Sequence, residues 1–146
     1  MANQTRTYNP KALKMSYLGV PIEDGLNDGD FVSVEQQTPA FESVAGADGT
    51  VSRARTNDDR VTITLTLLQN SAANFFLNSQ FLLDTESQNG AGVGPFYMKD
   101  MITGDTILVA EAWISNRGEV TRGKGTASME WTIEGASSKM FLAPVL

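Results

Sequence analysis

The clearest pattern in the chain is a strict alternation of apolar and polar residues over residues 60–68. A period of two residues is typical of a strand with one buried face, because successive side chains point to opposite sides of a sheet. The aliphatic side chains fall on one face and the threonines on the other: Val61, Ile63, Leu65 and Leu67 against Thr62, Thr64 and Thr66.

Shorter runs of the same kind predict further strands. Residues 128–134, for example, place Met129, Trp131 and Ile133 on one face and polar residues on the other. The remaining strands are predicted at residues 13–18, 20–22, 31–37, 96–99 and 106–114.

One helix is predicted, at about residues 71–84. Asn70 or Ser71 can cap its first turn. Phe75 lies seven residues before Leu82, and Phe76 seven residues before Leu83, so each pair shares a face of the helix. A helix this apolar is expected to lie on a sheet.

Residues 38–59 are too long for a tight turn and too polar for a core. Asp48-Gly49 is a strong hairpin signal, and it can pair residues 41–45 with residues 50–55. Neither arm has a strong apolar face, and an isolated hairpin is marginal in water. The segment is therefore expected to need a neighbour, such as another subunit.

Strands precede and follow the one helix, without regular alternation of strand and helix. This order predicts a mainly β fold: an antiparallel β-sandwich or partly rolled barrel, one flanking α-helix (about 71–84) and a long loop or hairpin (about 38–59). At 146 residues, the chain is expected to be a single domain, 1–146, with a flexible N-terminal arm at about 1–10.

Composition excludes several functions. The chain has 11 basic and 17 acidic residues, a net charge of −6, which argues against sequence-specific or general nucleic-acid binding. It contains neither cysteine nor histidine, so thiol chemistry, the usual catalytic triad and the commonest metal ligand are absent. No apolar run approaches the ~20 residues of a membrane span, and the N-terminus lacks the apolar core of a signal peptide. We expect synthesis in a cytoplasm, no membrane insertion and no cofactor or metal.

Two segments partly match ligand-binding motifs. Residues 118–125 have the glycine and lysine spacing of a phosphate loop, but Gly125 replaces the Ser or Thr that holds magnesium. Asp24, Asp28 and Glu35 fit calcium-loop positions, but Leu26 occupies a ligand position. Both segments are interpreted as turns.

Paired carboxylates are the remaining catalytic possibility. Glu111, Glu130 and Glu134 alternate along strands, which is equally typical of a solvated face. The chain is therefore not expected to be an enzyme. A monomeric binding module that uses Trp113 to stack on a ligand remains an alternative.

Several segments resemble the tail tube proteins of contractile-tailed bacteriophages. The resemblance is strongest at residues 46–58 (GADGTVSRARTND), between residues 31–35 (FVSVE) and 61–67 (VTITLTL). Residues 94–96 (GPF), 110–113 (AEAW) and 130–132 (EWT) follow in the expected order, so the similarity spans about residues 8–140.

This resemblance implies a structural virion protein. Tail tube proteins have a small β-sandwich with a flanking helix and form hexameric rings. The rings stack into a hollow tube whose inner barrel is continuous between subunits, and phage DNA passes through it. The implied partners are other copies, tail sheath, baseplate and tail terminator proteins, with tape measure protein and DNA transiently in the lumen. The inner tube of a related contractile injection system (tailocin or secretion-type) is the nearest alternative.

The resemblance to tail tube proteins implies roles for two groups of residues. The polar strand faces are expected to line the lumen, and the long loop to contact another subunit or ring. The lumen set is Glu35, Thr62, Thr64, Thr66, Glu111, Glu130, Thr132 and Glu134, and the loop set is Gly46, Asp48, Gly49, Arg53 and Arg55.

Overall fold

The computed structural model describes residue 5 and residues 7–142, in which a 3₁₀ turn at Pro10–Ala12 is followed by nine β-strands and one α-helix. The helix, α1 (Ala72–Glu86), lies between the sixth and seventh strands. The strands are β1 (Leu13–Tyr17), β2 (Val20–Pro21), β3 (Val32–Gln36), β4 (Phe41–Ala45), β5 (Val51–Arg55), β6 (Val61–Leu68), β7 (Gly94–Asp100), β8 (Thr106–Arg117) and β9 (Ser128–Phe141).

Seven strands form one antiparallel sheet in the order β2-β1-β7-β8-β9-β6-β3. The other two strands, β4 and β5, form a separate antiparallel hairpin. Within the described residues the large sheet does not close into a barrel, because β2 and β3 remain its edges. The prediction of a mainly β, antiparallel fold with one helix is confirmed.

The sheet is strongly curved. The Ile22 amide donates to the Met15 carbonyl on β1, and Leu26 forms a bridge with Leu67 on β6. Four residues of extended chain span at most about 14 Å. In a flat sheet β1 and β6, which are four strand spacings apart, would lie about 19 Å from each other. The sheet therefore bends until its two halves face each other.

This curvature brings the apolar strand faces into one buried cluster. The predicted alternation of β6 is confirmed, since its four aliphatic side chains at odd positions are all buried. Trp131 of β9 is fully buried, as the sequence predicted. The cluster also contains Met15, Tyr17, Phe96, Val109, Ile133 and, from the helix, Leu77.

Helix α1 begins where the sequence predicted. Ser71 is the N-cap, and its side chain accepts a hydrogen bond from the Ala73 amide at 3.3 Å. The helix extends two residues beyond the predicted end, to Glu86. Phe76 packs on the core, but Phe75, which was also expected to lie on the sheet, is 80% exposed.

Other boundaries differ from the predictions at the ends of strands. The longest strands, β8 and β9, run to Arg117 and Phe141, beyond the predicted residues 114 and 134. They pair with each other along this length through a register shift near Ile114. Half of the predicted N-terminal arm, residues 1–4 and 6, lies outside the described residues; its last residue, Pro10, begins the 3₁₀ turn capped by Asn9.

The domain has two opposite ends along the strand direction. The hairpin end is where β3 stops at Gln36, β6 starts at Val61 and the β4–β5 hairpin leaves the sheet. At the helix end, β6 stops at Leu68 and leads directly into α1. The helix crosses this end, where it contacts the last residues of β1 and β8, Tyr17 and Arg117.

Candidate assembly surfaces

A continuous polar face covers β3, β6 and β9 on the side opposite the core. Strand register places Glu35 beside Thr62 and Thr62 beside Glu134. One step along, Thr64 pairs with Thr132, and Thr66 pairs with Glu130. The sheet thus brings together seven of the eight residues predicted to line a lumen.

The eighth residue, Glu111, extends this face onto β8. Ala112 and Ile114 are buried, so Glu111 and Trp113 point to the polar side. Glu111 is exposed and lies opposite Ala136, while Trp113 lies opposite Glu134. Four glutamates therefore share this face, with Arg60 at its margin, 3.7 Å from Glu134. The half-buried Trp113 also lies on this polar face, whereas the sequence alone did not decide which side of the sheet it occupies.

The β4–β5 hairpin turns at the predicted Asp48-Gly49 step. The Gly46 amide donates to the Thr50 carbonyl at 2.7 Å, and Gly49 has a φ of 89°, which favours glycine. The Asp48 carboxylate accepts hydrogen bonds from the Thr50 amide and hydroxyl, both at 3.0 Å. These bonds lower the pKa of Asp48. The turn is therefore closed by hydrogen bonds among its own residues.

Both arms of the hairpin are exposed along their whole length. On one face, the Arg53 guanidinium lies 4.2 Å from the centre of the Phe41 ring, and that of Arg55 lies 5.2 Å from it. Val51 lies on the same face, nearer the turn. This face, which we call the Arg–Phe face, combines apolar area with two positive charges.

The base of the hairpin is fixed by Asp58. Its carboxylate accepts two hydrogen bonds from the Arg60 guanidinium at 2.9 Å and one from the Thr38 hydroxyl at 2.7 Å. Hydrogen bonds from Arg60 and Thr38 hold the pKa of Asp58 well below its usual value. A cleft of about 460 Å³ separates this base from Ser138 and Met140 on β9. The hairpin is thus held firmly at its root but not packed against its own sheet.

One edge of the large sheet is open for further pairing. The Thr66 amide donates to the Phe31 carbonyl and the Gln37 amide to the Arg60 carbonyl, so odd-numbered residues of β3 bond to β6. By the alternation of an antiparallel ladder, the backbone groups of Val32, Val34 and Gln36 point away from β6. No described strand pairs with them. The opposite edge, β2, has only two residues, one of which is Pro21.

The outer surface of α1 exposes apolar side chains at the helix end. Phe75, Ser79, Leu82 and Glu86 follow one another at intervals of three or four residues and form a single stripe. Phe75 is 80% exposed and Leu82 43% exposed, while Leu77 on the opposite side is buried. We call this set the helix stripe; sequence periodicity identified the Phe75–Leu82 pair but assigned it to the sheet.

The segments that partly matched ligand motifs have structural roles. Residues 118–127 connect β8 to β9 at the helix end. The Asp24 carbonyl accepts a hydrogen bond from the Ser71 hydroxyl, and its carboxylate one from the Ala72 amide. Within the described residues no group of three acidic side chains could hold a metal ion, and no helix is long and apolar enough to cross a membrane.

The family profile described as "Bacteriophage PhiTE tail tube protein" matches residues 17–142. The chain belongs to this family. It is accordingly a structural, non-enzymatic protein of the tail tube type and a virion component. The similarity to tail tube proteins inferred from residues 46–58 and the flanking strands is confirmed. No curated protein sequence matches the chain.

Solved structures of contractile injection systems share the fold. One is the tube-terminating cap of the anti-feeding prophage, with a TM-score of 0.60 at 10% identity, covering 98% of this chain and 96% of that one. Another is the sheath/tube terminator of the extracellular contractile injection system PVC in its extended state. Its TM-score is 0.58 at 11% identity, covering 94% of this chain and 98% of that one. A chain of the PVC sheath–tube complex in its extended state has a TM-score of 0.58 at 13% identity, covering 94% of this chain and 93% of that one.

Proposed function

We propose that this chain is one tail-tube-like domain that forms hexameric rings, and that the rings stack into the hollow tube through which phage DNA leaves the virion. Family membership over residues 17–142 is the observation that carries the proposal. Three of the surfaces described above supply what such an assembly needs: the polar face can form a wall, the β3 edge can pair with a neighbour, and the hairpin can make a projecting contact.

The polar face of β3, β6, β8 and β9 is proposed as the wall of the lumen. It displays four glutamates and several threonines. DNA carries about one negative charge per 1.7 Å of its axis, so carboxylates repel it. Threonine hydroxyls offer no positive charge that would retain a phosphate. A wall of this composition favours fast passage of DNA over binding.

The β3 edge is proposed as the join between subunits of one ring. Backbone groups of Val32, Val34 and Gln36 are directed outward, where a strand of a neighbour can pair with them. Closing a sheet through neighbours removes the exposed edges that otherwise promote uncontrolled association. The hairpin, with Gly46, Asp48, Gly49, Arg53 and Arg55, is proposed to contact an adjacent ring.

Sheath, baseplate and terminator proteins are proposed as further partners, with tape measure protein and DNA as transient contents of the lumen. We also propose synthesis in the cytoplasm of the bacterial host. A second candidate is a tube terminator, since two of the structural neighbours are described as a cap and a terminator. A terminator would form single rings, whereas a tube subunit would form rods.

Negative-stain electron microscopy of the purified protein at high concentration, with and without preformed tail baseplates, distinguishes these functions. Hollow rods support the tube subunit, and isolated six-fold rings support the terminator. Particles of monomer size under both conditions would refute both.

A hairpin replacement tests the projecting contact. The Thr56 amide donates to the Ala40 carbonyl at 3.0 Å, so residues 41–55 can be replaced by an Asn-Gly turn without moving the base. We expect this variant to unfold in urea in a single cooperative transition, as the wild type does, but to form no rods. Normal rods from the variant would show that the hairpin is not a contact between rings.

A further inference from the structure

The helix stripe has no partner among the described residues, yet it is apolar and carries a negative charge at one end. We propose that it is the surface on which the Arg–Phe face of the hairpin from a second copy of this chain docks. This inference rests on the proposed function and deepens it, since it names the acceptor of the hairpin.

The positions of the two surfaces favour a contact between copies. The hairpin leaves the domain at the hairpin end, where β3 stops and β6 starts, while α1 crosses the opposite end. One copy cannot bring its own hairpin to its own helix. Copies stacked in one orientation bring the hairpin of one to the helix of the next, and such head-to-tail contacts build open, repeating assemblies.

Both surfaces expose large apolar side chains, which a partner with an apolar surface can bury. Val51 is 67% exposed and Phe75 is 80% exposed. Burying large apolar side chains of this kind contributes favourably in proportion to the area removed from water. The stripe points away from the core of the described residues, so it is accessible to a second copy of the chain.

Charge complementarity selects the hairpin as the occupant. Both charged residues of α1, Asp84 and Glu86, are acidic, and Glu86 ends the helix stripe. The Arg–Phe face carries Arg53 and Arg55, which already stack on Phe41. Arginine is the cation best suited to an interface, because it pairs with a carboxylate and packs on an aromatic ring together. An Arg53 or Arg55 guanidinium is therefore placed against the Glu86 carboxylate.

The dimensions of the two surfaces agree. From Phe75 to Glu86 the helix rises about 16 Å. From Val51 to Arg55 the strand spans about 14 Å. With Arg55 near Glu86, Val51 therefore lies close to Phe75, at the apolar end of the stripe.

Disulfide trapping tests this contact, because the chain contains no native cysteine. Val51→Cys and Phe75→Cys proteins are mixed under assembly conditions and oxidised, and the covalent dimer is measured by non-reducing electrophoresis. The control pairs Val51→Cys with Val120→Cys, which lies at the same end outside the stripe and is 58% exposed. We expect the Phe75 pair to give at least about tenfold more dimer than the control.

Charge reversal supplies a second readout. Glu86→Arg places like charges together, so we expect the protein concentration needed for assembly to rise about tenfold or more. Glu119→Arg, at an exposed site in the loop of residues 118–127, should leave it unchanged. Adding Arg55→Glu to Glu86→Arg should restore assembly.

The outcomes separate the two proposals. Rods from the wild type, with equal trapping of both cysteine pairs, would overturn the helix stripe as acceptor and leave the tube function standing. Rods together with preferential trapping at Val120 would do the same and move the acceptor to the loop. Absence of any assembly from the wild type, with baseplates present, would refute the proposed function and this inference with it.

Discussion

Replacing Asn74 by alanine is expected to destabilise the domain far more than the same change one turn later in the helix. The Asn74 side-chain oxygen accepts a hydrogen bond from the Trp131 indole N–H at 2.9 Å, and its amide nitrogen donates to the Leu68 carbonyl at 2.8 Å. Trp131 is fully buried, so water cannot replace the lost partner without a change in the core.

The magnitude follows from three contributions. A buried donor left without a partner costs about 1–3 kcal/mol, and the lost bond to Leu68 costs about 1 kcal/mol. Alanine itself stabilises the helix by roughly 0.5 kcal/mol relative to asparagine, because its helix propensity is higher. The expected decrease in the free energy of unfolding is therefore about 2 kcal/mol.

Asn78→Ala is the matched control. Its side-chain oxygen accepts a bond from the Arg117 guanidinium at 2.7 Å, but Arg117 is exposed and can turn to water. The loss of an exposed bond and the gain in helix propensity nearly cancel, so the change should stay within about 0.5 kcal/mol. Urea unfolding followed by circular dichroism measures both variants.

A double-mutant cycle identifies the indole bond as the cause. Trp131→Phe removes the donor, so Asn74→Ala should cost about 1–3 kcal/mol less in that background. Equal costs in both backgrounds, or equal effects of Asn74→Ala and Asn78→Ala, would refute the reasoning. The Trp131 indole bond would then contribute little to holding the helix at its end of the sheet.

Three further predictions address ring closure, pH and packing. Val34→Pro removes an amide that points away from β6 and should leave a folded subunit that forms no rings, whereas rings in electron micrographs would exclude the β3 edge as the join. Folding lowers the pKa of Asp58, so the Asp58 carboxylate stabilises the folded state above the pKa it has in the unfolded chain, and this stabilisation is lost as the pH falls below that value. The difference in urea midpoint between the wild type and Asp58→Asn should therefore shrink between pH 5 and pH 2. A constant difference would contradict the assignment. A Cβ on Gly118 would lie 2.0 Å from the Glu130 carbonyl oxygen, whereas one on Gly123 would meet nothing within 4 Å; Gly118→Ala should cost about 1–3 kcal/mol, Gly123→Ala should be nearly neutral, and equal melting temperatures would refute the distinction.

Local signals in the sequence predicted most of the elements. The alternation over β6, the Ser71 cap and the Asp48-Gly49 turn each depend on residues close in the chain, and each is present in the structure. The polar faces of single strands followed from the same alternation. Their union into one surface depends on the order β8-β9-β6-β3, which joins segments far apart in sequence.

The helix shows why periodicity alone assigned one face wrongly. Phe75 with Leu82 and Phe76 with Leu83 were equivalent in sequence, since each pair is separated by seven residues. Only one side of a helix can lie on a sheet, and Asn74 fixes which side by bonding to Trp131. That choice depends on a tertiary contact across 57 residues, so the exposed Phe75 became apparent only in the structure.

The placement of the hairpin and the helix at opposite ends gives each molecule a polarity. A column of copies joined in one orientation would display bare hairpins at one terminus and bare helices at the other. The two termini then differ in chemistry, so subunits add to them at different rates. A protein that limits length needs to recognise only one of them, and a stop that covers helices leaves growth at the hairpin terminus unaffected.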